Sequence, residues 1–402
     1  MNEFLRPGRF IDSGHPAVIS FSSKNATGKD PLARAVSLYY AVRDGIRYNP
    51  FLDFSKEETF QASRCIEAGE GFCIGKAALL AACARADGIP ARIGFADVKN
   101  HLTTPALRER MGTDLFVYHG YAELLLEGRW VKATPAFFDA TGLVVSQHEA
   151  TSKDGTKIPY FQVMREGAKL DGNNPTILYG YGGFEISQVP TYSGFSGNGW
   201  LAKGGVWVLA NLRGGGEFGP QWNQTARREG RQKTHDDFAA VAEDLIQRKV
   251  TSPAKLGILG GSQGGLLVGT TVLQHPELFG AAVATVPLMD MKRFHKLLAG
   301  ASWMGEYGDP DKAEDWAFIS KYSPYQNVKK DAKYPPMLIT TSTRDDRVHP
   351  GHARKMAALM QSMGHPTTYF EYTEGGHGSG TTPAQTAYTW AFIYTFFQRQ
   401  LM

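Results

Sequence analysis

Cysteine is nearly absent from this chain: Cys65, Cys73 and Cys83 are the only three among 402 residues, all in its first quarter. Three thiols cannot build a disulfide framework, so a reducing, cytoplasmic setting is the expectation. Long apolar runs are missing too. Nothing reaches the roughly 20 residues that span a bilayer, and Met1 to Pro7 lack the apolar core of a signal peptide. Nor does one sign of charge dominate. Against 43 basic residues stand 39 acidic ones, a net charge of +4, and the basic residues are scattered, which gives no footing for nucleic-acid or membrane binding. Cysteine and histidine never fall at metal-binding spacing, and His235 beside Asp236 and Asp237 would splay apart along one helix. The run Arg213-Gly214-Gly215-Gly216-Glu217 lacks the lysine and hydroxyl residue of a phosphate loop. No cofactor is implied. Finally, no repeat of blade length precedes Glu149, which excludes a β-propeller.

What is present begins with Gly260-Gly261-Ser262-Gln263-Gly264-Gly265. An apolar strand, Leu256 to Leu259, precedes it and an apolar helix starting Leu266-Leu267-Val268 follows. Gly260, Ser262 and Gly264 fill the fixed places of G-x-S-x-G, a turn that pushes a serine out of the backbone path while glycines clear room around it. A hydrolytic serine needs a base and a carboxylate, which on this kind of sheet follow in the order Ser, Asp, His. After the strand Pro336 to Thr340 come Asp345 and Asp346. Asp345 is assigned as the orienting carboxylate, with Asp346 its close competitor. After the strand Thr368 to Tyr372 comes His377, bracketed by Gly376 and Gly378. The backbone N–H of Gln263, next after the serine, is the expected oxyanion donor.

From about Glu149 onward the chain resembles the catalytic domain of the prolyl oligopeptidase family. The matching segments include Tyr179-Gly180-Tyr181-Gly182-Gly183-Phe184, Asn211 to Glu217, the serine turn, Lys321-Tyr322-Ser323-Pro324, Asp345 to Val348 and Gly376-His377-Gly378. The resemblance implies an α/β hydrolase, with Ser262 as nucleophile, Asp345 as orienter and His377 as acid and base. It implies the Tyr181 hydroxyl as a second oxyanion donor. It also places Phe184, Trp303, Tyr307 and Val348 in an apolar box that stacks on proline, with Arg347 holding a substrate carbonyl. The expected function is a serine oligopeptidase or endopeptidase acting on peptides after proline through an acyl-enzyme. The alternatives are an esterase or aminopeptidase on the same scaffold, or an inactive peptide-binding protein.

The first 140 residues read as helices followed by a few strands. Cys73 enters an Ala- and Leu-rich helix, whose N-terminus favours the thiolate. His119 sits at the start of a strand. This half resembles the α+β transglutaminase-like (papain-like) fold, with Cys73 and His119 on matching positions as a second possible site. The family's usual aspartate falls on Thr134, and the fold is cut short near Phe137-Phe138-Asp139. A peptide-binding or cover domain is the preferred role. Two domains, 1–140 and 149–402, suit a chain of this length.

Overall fold

The computed structural model describes residues 2–49, 52–99, 115–135, 142–191, 193–378 and 383–402. The end of the first domain near Phe138 lies outside them. The chain divides into two compact units, residues 1–140 with the short stretch 191–194, and residues 141–190 with 195–402.

In the first unit, helices α1 (Pro16–Asn25) and α2 (Pro31–Gly45) both open on proline, whose fixed φ suits a first helical position. Asp30 caps α2 by accepting a hydrogen bond from Ala33 N–H at 2.7 Å. Two short strands, β1 (Arg47–Tyr48) and β2 (Glu70–Gly71), pair in parallel around α3 (Ala62–Ala68). Helix α4 (Cys73–Ala86) is buried on nearly every face, as expected of a helix apolar all round. It packs against α1, α2 and α3 in one core containing Val18, Leu38, Leu79 and Leu80. Three antiparallel strands follow, β3 (Ala91–Lys99), β4 (Leu115–Leu126) and β5 (Arg129–Ala133). Glu127 and Gly128, both at positive φ, form the two-residue turn between β4 and β5, the geometry whose twist suits a hairpin. His119 lies inside β4 and not at its start, one residue after Tyr118, where φ is 57°.

The second unit is an eight-stranded sheet. Its strands are β6 (Leu143–Thr151), β7 (Lys157–Arg165), β8 (Thr176–Tyr179), β9 (Val206–Ala210), β10 (Leu256–Gly261), β11 (Ala281–Thr285), β12 (Met337–Ser342) and β13 (Thr367–Tyr372). Their order is β13-β12-β11-β10-β8-β9-β7-β6. Everything from β13 to β9 is parallel, and the β6–β7 hairpin closes one edge antiparallel. Parallel neighbours require crossovers, and helices supply them. Helices α5 (Gln232–Gln247), α6 (Gln263–Gln274) and α7 (Gly351–Ser362) pack through Phe238, Leu267 and Met356 into one core with Val208, Ile258 and Ile339. Helix α8 (Pro383–Leu401) contributes Ile393, Tyr394 and Phe397 to a separate core with Ile177, Leu259 and Leu338. Strand order reverses between β8 and β10, since β9 is added on one side of β8 and β10 on the other. Such a switch point opens a crevice at the strands' carboxyl ends. Among the described residues there is no propeller, and no helix is long and apolar enough to cross a membrane.

Candidate active site

Ser262 stands alone between β10 and α6, at φ 58° and ψ −116°, a conformation that a residue with a Cβ adopts rarely and at a cost of about 1–3 kcal/mol. The glycines around it are there for space. A Cβ on Gly260 would overlap the carbonyl of Gly264, one on Gly264 would crowd the carbonyl of Gly180, and one on Gly265 would meet Pro287. Ser262 N–H donates to Thr285 O at 2.9 Å, tying the turn to β11. Gln263 is the first residue of α6, where backbone N–H groups have no partner within the helix.

Asp345 and His377 come from the loops after β12 and β13. The Asp345 carboxylate is buried, and its Oδ1 accepts from the N–H groups of Arg347 at 3.0 Å and Val348 at 2.9 Å. His377 Nδ1 lies 2.9 Å from Oδ2 and 3.0 Å from Oδ1 of the same carboxylate. That contact makes Nδ1 the donor and leaves Nε2 to accept a proton. The neighbouring Asp346 instead takes the His377 backbone N–H at 3.4 Å. Among the described residues no hydrogen bond joins Ser262 directly to His377; such bonds are often long before substrate arrives. A cavity of about 180 Å³ beside the turn is lined by residues including Gly261, Thr285, Val286, His377 and Trp390.

Tyr181 follows β8; burial raises its phenol pKa, an effect opposed by the nearby Ser262 side chain and by the charge of Arg347. The hydroxyl thus keeps its proton at neutral pH and can donate. Phe184, Trp303, Tyr307 and Val348 meet in one apolar cluster. The Phe184 ring stands edge-on to Trp303 at 6.5 Å and to Tyr307 at 5.7 Å. Tyr307 and Val348 are buried, whereas Arg347 is exposed beyond them.

Two residues that sequence reasoning missed lie under this box. Arg231 and Glu306 form a buried ion pair. Arg231 also donates from Nη1 to Gly182 O at 2.7 Å, and Glu306 Oε1 accepts the Phe184 N–H at 2.9 Å. The Gln263 side chain joins in: its Oε1 accepts from the Tyr307 hydroxyl and its Nε2 donates to Gly182 O at 3.3 Å. The available signal was a glutamate interrupting the apolar string from Trp303 to Tyr307. The run Arg213 to Glu217 also acquires a reason. Arg213 is held by Asp237 and Asp154 and donates to Ser152 Oγ at 3.2 Å.

In the first unit Cys73 is the first residue of α4 and is 8 % exposed. Burial raises its thiol pKa, against opposing hydrogen bonds from the Gly120 and Ile74 backbones and the Tyr48 side chain. The helix end therefore does not prevail, and the thiol is the resting form. A Cβ on Gly120 would strike Ile74, so β4 lies directly on the first turn of α4. His119, the neighbour of Gly120, is buried, which lowers its pKa. Thr134, in the aspartate's place, offers its carbonyl to the Tyr39 hydroxyl at 3.3 Å. Elsewhere, His295, Asp309 and Asp311 bring ligand atoms within 4.8 Å of one another, but Lys296 Nζ at 2.8 Å from Asp311 already supplies the positive charge. His235 is fully buried inside α5 and stacks on Tyr322.

Two family models match the two halves separately. A transglutaminase-like superfamily model matches residues 20–135, and the prolyl oligopeptidase family model matches residues 193–402. The chain is 53% identical over 272 residues to an uncharacterized peptidase, y4nA, of Sinorhizobium fredii, covering 68% of this chain and 38% of that protein. To a prolyl endopeptidase of Elizabethkingia miricola it is 38% identical over 263 residues, covering 64% of this chain and 37% of the other. A solved structure of a post-proline cleaving enzyme from Rickettsia typhi superposes with a TM-score of 0.66 at 39% identity, covering 78% of this chain and 45% of that one. The chain thus spans less than half the length of each of these relatives. With more than half of its own residues matched by the family model, the chain belongs to the prolyl oligopeptidase family.

Proposed function

We propose that the second unit is a serine peptidase that cleaves short peptides on the carboxyl side of proline through an acyl-enzyme. The observation that carries this reading is the His377–Asp345 contact at 2.9 Å, offered by two loops at the same sheet end as the strained Ser262. In this reading His377 Nε2 takes the proton of Ser262 Oγ as it attacks the scissile carbonyl, and Asp345 stabilises the imidazolium that forms. The oxyanion is held by the Tyr181 hydroxyl and the Gln263 N–H, donors fixed in place before charge develops. His377 then protonates the leaving amine, and water releases the acyl group by the same steps reversed. The proline ring enters against Phe184, Trp303, Tyr307 and Val348, and Arg347 takes a carbonyl further back along the peptide. Three unpaired thiols support a reducing, cytoplasmic setting.

The test is turnover of a chromogenic peptide with proline before the scissile bond, against its alanine counterpart. We expect selective cleavage of the proline peptide, and Ser262→Ala to lower kcat by on the order of 10⁶-fold. Equal rates for proline and alanine would replace this reading with a general esterase or aminopeptidase. No turnover by a folded wild type would sink it.

A further inference from the structure

The loop that carries Tyr181 and Phe184 is held under strain. Phe184 and Glu185 are adjacent residues with side chains, yet both sit in the left-handed region, at φ 56° and 57°. Such residues adopt that region rarely, and two in succession need an external hold. Gly182, also at positive φ, leaves no room for a Cβ, which would overlap Thr234.

The hold is the Arg231–Glu306 pair. One guanidinium nitrogen of Arg231 donates to the carbonyl of Gly182, at one end of the strained stretch, while the other pairs with Glu306. Glu306 in turn accepts from the N–H of Phe184, the first of the two strained residues. Neither side chain is needed to fill space, since apolar residues of similar volume satisfy a buried position at least as well as an ion pair. Each group instead reaches a backbone atom of one turn, and the second carboxylate oxygen of Glu306 also faces Arg227 Nε at 3.5 Å. The same Arg231 lies 5.3 Å from the Tyr307 ring, and Glu306 is chain neighbour to Tyr307. Gln263 completes the ring of contacts by joining the Tyr307 hydroxyl to Gly182 O.

We propose that the buried Arg231–Glu306 pair positions the Tyr181–Phe184 loop, setting an oxyanion donor and one wall of the proline box in a single register. Arg231 and Glu306 are positioning residues, since they reach the substrate only through this loop. The idea rests on the peptidase reading given above. Its consequence is that rate and proline selectivity are set together: loosening the pair moves Tyr181 and Phe184 at once.

The decisive variant is Arg231→Met/Glu306→Leu, which removes both charges and keeps the volume. It is compared with Arg231→Lys, which keeps the charge but replaces a two-pronged donor with a single point that cannot serve Gly182 and Glu306 alike. Three quantities are measured on the full chain: the thermal transition, kcat and KM for the proline and alanine peptides, and hydrogen exchange at the Phe184 amide. We expect a cooperative transition in both variants, kcat for the proline peptide lower by about a hundredfold in the double variant, and a smaller preference for proline over alanine. Phe184 exchange rises at least about tenfold, because its acceptor is gone. Arg231→Lys falls in between. A folded double variant with wild-type kcat, selectivity and Phe184 exchange overturns the proposal; if that variant does not fold, the same result from Arg231→Lys overturns it. Should the wild type cleave neither peptide, the peptidase reading fails, and the exchange rates alone decide whether the pair holds the loop.

Discussion

His352 is a buried histidine with a neutral ring. It is 1% exposed, and its Nδ1 accepts backbone N–H groups from Asp290 at 3.0 Å and Met289 at 3.3 Å, a role that a protonated nitrogen cannot fill. Burial pulls its pKa down to about 4, and that of the fully buried His235 to about 3. The unfolded chain, with histidines near 6.5, therefore binds protons that the folded chain refuses. Stability is complete above pH 6.5 and is lost as pH falls toward 4, by about 3 kcal/mol for His352 alone. Urea unfolding at pH 7 and pH 4.5 should show that drop in wild type, and a smaller one in His352→Asn, whose amide oxygen can still accept. Residues are also where sequence reading ran out. Asp345 and Asp346 are adjacent on a loop, and only the folded backbone turns one carboxylate to the imidazole and the other to a backbone N–H. Arg231 and Glu306 were invisible for a related reason: charged residues are read as surface until tertiary packing buries them as a pair.

At the scale of elements, the turn between β10 and α6 was legible because each of its glycines answers a local demand. Gly260 is the sharpest case, since an added Cβ would overlap a backbone carbonyl that cannot rotate away. Gly260→Ala is expected to cost about 1–3 kcal/mol, read as a lowered thermal midpoint together with slower turnover. A midpoint equal to wild type would show the turn to be more yielding than described. Strand positions were legible from short apolar runs, whereas their ends were not: β10 runs on to Gly261, and α6 begins at Gln263, before the first apolar triplet at Leu266. Glycine tolerates strand and helix geometry alike, so a glycine-rich junction hides both boundaries. Helix α5 likewise starts at Gln232, six residues ahead of Phe238, because its first turns are polar. Cys73 shows two competing effects at this scale as well. A helix end acts on a charge locally, and here burial works against it.

Across the whole molecule, intrinsic probes divide between the two units. All three cysteines and Trp130 belong to the first, while Trp200, Trp207, Trp222, Trp303, Trp316 and Trp390 belong to the second. Burial keeps the thiols protonated, with Cys65 pushed up to about 12 and Cys83 raised further. A chromogenic thiol reagent at pH 8 should thus find no rapidly reacting thiol in the native protein and three after denaturation. Labelling against urea then follows the first unit, and tryptophan emission chiefly the second. One fast native thiol would mean that Cys73 is more exposed than its 8 % accessibility implies. The sheet of the second unit also has a history in time. Strands β8 and β10, like β12 and β13, become neighbours only after crossovers have closed, and contacts between distant parts of a chain form late. Ser262, Asp345 and His377 each hang from a different one of those strands. A partly folded chain therefore holds nucleophile, carboxylate and base on pieces not yet joined, and is chemically silent until the sheet is complete.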